Sequence, residues 1–81
     1  MNNIKYFVEV YDTDTDMVWS DFDTMPEAKQ EMKVWNLDKL GYSIRWVACE
    51  VKGGEYWTLA HAGTLGEVKN RVKQLTKLSR L

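Results

Sequence analysis

Eighty-one residues fall within the roughly 50–250 residues of a single folded domain, and a 44% hydrophobic fraction with 12% aromatics excludes a disordered chain. A net charge of −1 and a pI near 5.7 argue against a dedicated DNA-binding domain, which is usually strongly basic. One cysteine, Cys49, excludes an internal disulfide and a cysteine-rich metal cluster, and no apolar run approaches the ~18 residues of a membrane span.

In chain order, the N-terminal stretch lacks the basic start and long apolar core of a signal peptide, which makes a cytoplasmic protein the expectation. From Ile4, the residues Ile4, Tyr6, Val8 and Val10 alternate with Lys5, Phe7, Glu9 and Tyr11. Period two predicts a strand with the first set on the core face and Phe7 and Tyr11 pointing outward. A polar turn and a short strand around Met17–Phe22 follow, and the same alternation puts Met17 and Trp19 on the outer face.

The turn lies in an acidic stretch, with Asp12, Asp14, Asp16, Asp21 and Asp23 inside thirteen positions. As an EF-hand loop, Asp12, Asp14 and Asp16 would take ligand positions one, three and five, and Asp23 position twelve. Position six, normally glycine, is Met17, and the preceding segment alternates like a strand rather than a helix. The stretch is therefore read as a hairpin, in which Asp and Thr favour turns by bonding nearby backbone groups.

Thr24 and Glu27 form a capping box, and Pro26 sits in the first turn, where its missing N–H is harmless. Met25, Ala28, Met32 and Trp35 keep helical spacing, and Gly41 is placed to end this helix. A strand over about Tyr42–Val51, a Gly53-Gly54 turn and a strand over Glu55–Ala62 form a second hairpin. Trp57 and Leu59 are expected on its outer face. Thr64 and Glu67 then cap a helix bearing Leu65, Val68, Val72 and Leu75.

The chain repeats itself. Thr24–Lys33 matches Thr64–Lys73 forty positions later, and Ile4–Val8 matches Ile44–Ala48. Glu9-Val10 matches Glu50-Val51 only if one residue near Cys49 is extra, the sequence mark of a β-bulge. The prediction is an α+β domain over residues 1–81 made of two ββα repeats, about 3–41 and 42–81. The most apolar strands, the first and third, are central, giving a four-stranded antiparallel sheet in the order 2-1-3-4 with both helices on one face.

Charge divides with the repeats. Residues 1–40 hold four Lys/Arg against nine Asp/Glu, a net of −5, and residues 41–81 hold seven against three, a net of +4. Neither Cys49 nor His61 stands in a nucleophile–base motif, and Gly53-Gly54 is too short for a phosphate loop. The expectation is a non-enzyme with no catalytic residues, cofactor or metal.

Two surfaces are candidates for binding. One combines the acidic hairpin (Asp12, Asp14, Asp16, Asp21, Asp23) with Trp19, Phe7, Tyr11 and Trp57, for a host or self protein. The other is the basic terminal helix (Lys69, Arg71, Lys73, Lys77, Arg80), which with the sheet aromatics could contact nucleic acid. Self-association into a homodimer is a third reading, and no membrane partner is expected.

Asp23-Thr24-Met25-Pro26-Glu27-Ala28-Lys29 resembles a hairpin-then-helix pattern found in HicB-type antitoxins, in arm-type DNA-binding domains of tyrosine integrases, and in short phage and mobile-element proteins. The resemblance covers about twenty residues per copy. It implies a small phage or mobile-element protein that works by binding, in one version an inhibitor of a host nucleic-acid-handling or defence protein. The acidic hairpin departs from the basic strands of an integrase arm domain, so DNA binding by the hairpin is not implied.

Overall fold

The computed structural model describes residues 3–79. The chain forms β1 (Ile4–Asp12), β2 (Val18–Phe22), α1 (Met25–Val34), a 3-10 turn (Leu37–Leu40), β3 (Tyr42–Lys52), β4 (Glu55–Ala62) and α2 (Leu65–Ser79). The strands make one antiparallel sheet in the order β2-β1-β3-β4, as the apolarity of the first and third strands predicts. Three consecutive residues are buried in each central strand, Val8–Val10 in β1 and Val47–Cys49 in β3, so both faces of these strands are covered at mid-length. Residues 7–45 form one compact unit and the other described residues form a second, so the boundaries fall inside β1 and β3.

In the unit of residues 7–45, Val8, Val10, Ala28 and Leu37 are fully buried. The α1 N-terminus is capped by the Thr24 hydroxyl, which accepts from the Glu27 amide at 3.5 Å and donates to the Glu27 carboxylate at 2.8 Å. The carboxylate thus fixes the capping hydroxyl instead of reaching back to the Thr24 amide. The helix ends earlier than Gly41 predicts. It stops at Val34, Asn36 takes a left-handed conformation (φ 52°), and Leu37–Leu40 makes a 3-10 turn that Gly41 closes at φ 89°. Asparagine can leave the helical region much as glycine does, and the turn it starts sends Leu37 into the interior.

In the second unit, Ala48, Ala62, Val68 and Val72 form the buried cluster, with Ile4, Tyr6, Trp46, Leu59 and Ala60 against it. Gly53 (φ 60°) and Gly54 (φ 79°) make the two-residue turn that joins Lys52 to Glu55, both in the positive-φ region such turns require. Thr64 and Glu67 repeat the capping geometry, at 3.2 Å from the Glu67 amide and 3.0 Å to its carboxylate.

Both hairpins carry a bulge, and both bulges lie on the second strand. Val10 pairs with Ser20 but Tyr11 with Val18, leaving Trp19 unpaired. Ala48 pairs with Ala60 but Cys49 with Thr58, leaving Leu59 unpaired. The extra residue expected near Cys49 in the second copy alone is not found: β3 pairs without a gap there, the unpaired residue is Leu59 on the facing strand, and the first hairpin carries the same bulge. Bulges disturb strict alternation, and this overturns two expected orientations. Leu59 joins the buried cluster beside Ala60, and Trp19 turns toward α1.

Replacing Thr64 by Ala removes the hydroxyl that satisfies the first turn of α2. Urea unfolding is expected to show a loss of about 1 kcal/mol, the usual value of such a cap; an unchanged midpoint would show that the cap contributes nothing.

Candidate protein-binding surface

The acidic hairpin is a built loop rather than a row of free carboxylates. Asp12 turns its carboxylate inward, accepting from the amides of Asp14 (2.9 Å) and Thr15 (3.4 Å). The Asp16 amide donates to the Asp12 carbonyl at 2.8 Å, and Asp16 is held at φ 64°. Thr13 fastens the loop to the start of β3, because its amide (3.0 Å) and its hydroxyl (2.7 Å) both donate to the Gly41 carbonyl. Among the described residues, no three His, Cys, Asp or Glu side chains converge as metal ligands.

Arg45, which no sequence motif marks, organises this loop. Its Nε donates to Glu9 at 2.6 Å and its Nη1 to Asp16 at 2.7 Å, while the guanidinium carbon lies 4.0 Å from the centre of the Tyr11 ring. The side chains of Arg45 and Glu9 are each 11% exposed. Burial works against the Arg45 charge, but hydrogen bonds and charge from Asp16 and Glu9 outweigh it and raise its pKa above the ordinary value. Of the five aspartates, Asp12 is thus spent on the turn and Asp16 on Arg45. Asp14, Asp21 and Asp23 remain exposed. Enough protein surrounds the Asp21 carboxyl to raise its pKa through desolvation.

Trp19 is the centre of an aromatic cluster at the outer strand of the sheet. Its indole nitrogen donates to Glu31 of α1 at 3.0 Å. Its ring lies 5.5 Å from Tyr42, edge to face, and 6.5 Å from Trp35, tilted by 53°. The bulge that turns Trp19 toward α1 and the left-handed break after Trp35 bring these rings together. The cluster is not sealed, since Trp19 is 43% and Trp35 57% exposed, and Met17, Val34 and Leu40 are exposed in the same unit.

The remaining candidates are scattered. Phe7 and Tyr11 are half-buried, and Tyr11 is roofed by Arg45. Trp57 pairs with Glu50, which shares a face with Ala48 by alternation, so Trp57 stands on the α2 side of the sheet and not on the expected outer face. On α2, Arg71 donates to the His61 carbonyl at 2.6 Å and Lys69 lies 5.6 Å from the centre of the Tyr6 ring, while Lys73 and Lys77 are exposed. Arg80 lies outside the described residues. Cys49 is buried, with its sulfur 3.8 Å from the Thr58 hydroxyl. No helix among the described residues is long and apolar enough to cross a membrane. No protein-family model, curated protein or solved structure matches the chain.

Sequence signals for the missed residues were present but indirect. An arginine inside the apolar run Ile44-Arg45-Trp46-Val47 requires a carboxylate partner, because a buried charge must be paired. Trp35, read as a core position of the helix, falls one residue past its end and so reaches the surface.

Removing Arg45 should be costly and removing its outer partner should not. Arg45→Ala leaves the Glu9 carboxylate buried and unpaired, and urea unfolding is expected to show a loss of about 3 kcal/mol. Asp16→Asn keeps a residue that tolerates positive φ and removes only an exposed charge, so its effect should stay within about 1 kcal/mol. Equal effects would remove Glu9 as the reason for Arg45.

Asp21 gives a pH test. Its folded-state pKa lies above the ordinary value of 3.8, so the folded chain binds that proton more tightly than the unfolded chain. Its ionisation therefore weakens the fold as pH rises from the ordinary value through the raised one. Asp21→Asn is expected to match or exceed the wild-type Tm at neutral pH, with any gain vanishing below pH 3.8. A lower Tm at neutral pH would contradict this.

Proposed function

We propose that the protein is a non-enzymatic binding module, and that its contact surface is the Trp19–Trp35–Tyr42 cluster with the exposed carboxylates of Asp14, Asp21 and Asp23. The observation that carries this reading is the pair of half-exposed tryptophans in tilted contact, of which Trp19 is also held edge to face by Tyr42 and by a hydrogen bond to Glu31. Rigid, partly exposed aromatics are the usual anchors of protein interfaces, because they bury much area for little lost entropy. The flanking carboxylates select a partner surface that is apolar at its centre and basic at its rim. A host nucleic-acid-handling protein has such basic surfaces, so an inhibitor of phage type is the specific form of this proposal. The duplicated ββα unit belongs to the same proposal. It is supported by matched capping boxes and by bulges at Trp19 and Leu59, forty positions apart.

Affinity capture from nuclease-treated bacterial lysate tests the proposal. A protein partner should survive nuclease, be lost with Trp35→Ala and with Asp14→Lys/Asp23→Lys, and be kept by Lys73→Gln/Lys77→Gln. The variants avoid Asp12 and Asp16, which hold the loop itself. Capture of nothing, or capture lost only with the lysine variant, overturns it.

A further inference from the structure

The lysines of α2 are more than a solvated helix surface. Lys69, Lys73 and Lys77 line one groove of about 350 Å³ with Tyr6 of β1 and Val72. Four-residue steps place successive lysines about 6 Å apart along the helix, comparable with the spacing of successive phosphates on an extended single strand. The other two lining residues are apolar or aromatic, so the groove offers a non-polar floor beneath a cationic rim. Among the described residues, no ion pair holds any of these three lysines. No carboxylate lines the groove, and the unit that contains it is the basic one: residues 7–45 hold four Lys/Arg against nine Asp/Glu, and the rest of the chain seven against three. The low overall pI therefore does not describe the surface this groove presents.

A related groove occurs in the other unit, where Lys29, Lys33 and Lys39 surround Met32 and Ile44 in about 390 Å³. Lys29, Met32 and Lys33 precede Lys69, Val72 and Lys73 by forty positions. Here Asp38 joins the lining and no aromatic residue replaces Tyr6. Of the two, the α2 groove is the one fitted to a polyanion.

We infer that the α2 groove binds a short stretch of single-stranded nucleic acid, with phosphates on Lys69, Lys73 and Lys77 and a base against Tyr6, the Lys69 ammonium leaving its place 5.6 Å from the centre of that ring for a phosphate. Single strands are held by a cationic track plus an aromatic surface for the bases. A duplex would engage the lysines but leave the apolar floor unused. This surface is separate from the aromatic cluster of the proposed function, and its variants are different residues, so either reading can fail alone.

The test is fluorescence anisotropy with a labelled ten-nucleotide oligo-dT and a ten-base-pair duplex. Each phosphate contact on a single strand contributes about 0.7 to the salt slope, so three contacts predict a fall in affinity of about 20-fold between about 50 and 200 mM salt. Lys73→Gln/Lys77→Gln, at exposed positions, should reduce that fall to about 3-fold. Tyr6→Leu should weaken binding while leaving the slope unchanged. Should Tyr6→Leu fail to fold by circular dichroism, the lysine variant decides alone. Absence of oligo-dT binding at low salt, an unchanged slope in the lysine variant, or duplex binding as tight as single-strand binding each overturns the inference.

Discussion

A carboxylate buried in a central strand sets the terms for the unit of residues 7–45. Glu9 sits between Val8 and Val10, both fully buried, where an unpaired charge would cost several kcal/mol. Arg45 meets it at 2.6 Å, and the rest of the hairpin follows from that arginine. The same guanidinium reaches Asp16 and covers Tyr11, so the loop between β1 and β2 is fastened by the ion pair that resolves the buried charge. Thr13 supplies the other fastening, at Gly41. The acidity of the hairpin is therefore partly internal, since two of its five aspartates serve the loop itself.

The bulges have an equally wide reach. β2 and β4 are the outer strands of the sheet, with backbone groups open to pairing by another chain. Natural sheets blunt such strands by shortening or bulging them, and both devices are present: β2 has five residues, and Trp19 and Leu59 are unpaired. In the first unit the same bulge aims Trp19 at Glu31, Trp35 and Tyr42. An element that discourages indiscriminate strand pairing thus builds a defined aromatic surface instead.

Much of the architecture could be read from residues. Alternation from Ile4 located β1, Gly53-Gly54 located the second turn, and the two T-x-x-E boxes located both helix starts, because each signal acts within a few residues. Failures arose where the outcome depends on a distant partner. The gap near Cys49 in the sequence match predicts a bulge in β3 alone, whereas each hairpin is bulged on its outer strand, at Trp19 and Leu59. Reading β4 without its bulge put Leu59 outside the core, and reading β2 without its bulge gave Trp19 the wrong side. Arg45 and Glu9 are 36 positions apart, so neither residue's neighbours announce the pair. Gly41 was a reasonable helix stop, but Asn36 leaves the helical region first, and the turn between them buries Leu37.

For the proposed contact surface the consequence is a division of labour. With Asp12 and Asp16 engaged, the hairpin keeps too few free carboxylates to hold a partner by charge alone, since exposed ion pairs contribute only about 0–1 kcal/mol each. Aromatic pairs add about 0.5–1.5 kcal/mol beyond the area they bury, and Trp19, Trp35 and Tyr42 are already ordered against one another. In the proposed contact, affinity would then come from the rings, while Asp14, Asp21 and Asp23 would govern orientation and the rate of encounter. That ordering also explains why the tryptophans tolerate exposure: Glu31 satisfies the indole nitrogen of Trp19 in the free protein, so a partner needs to cover only the apolar ring surface.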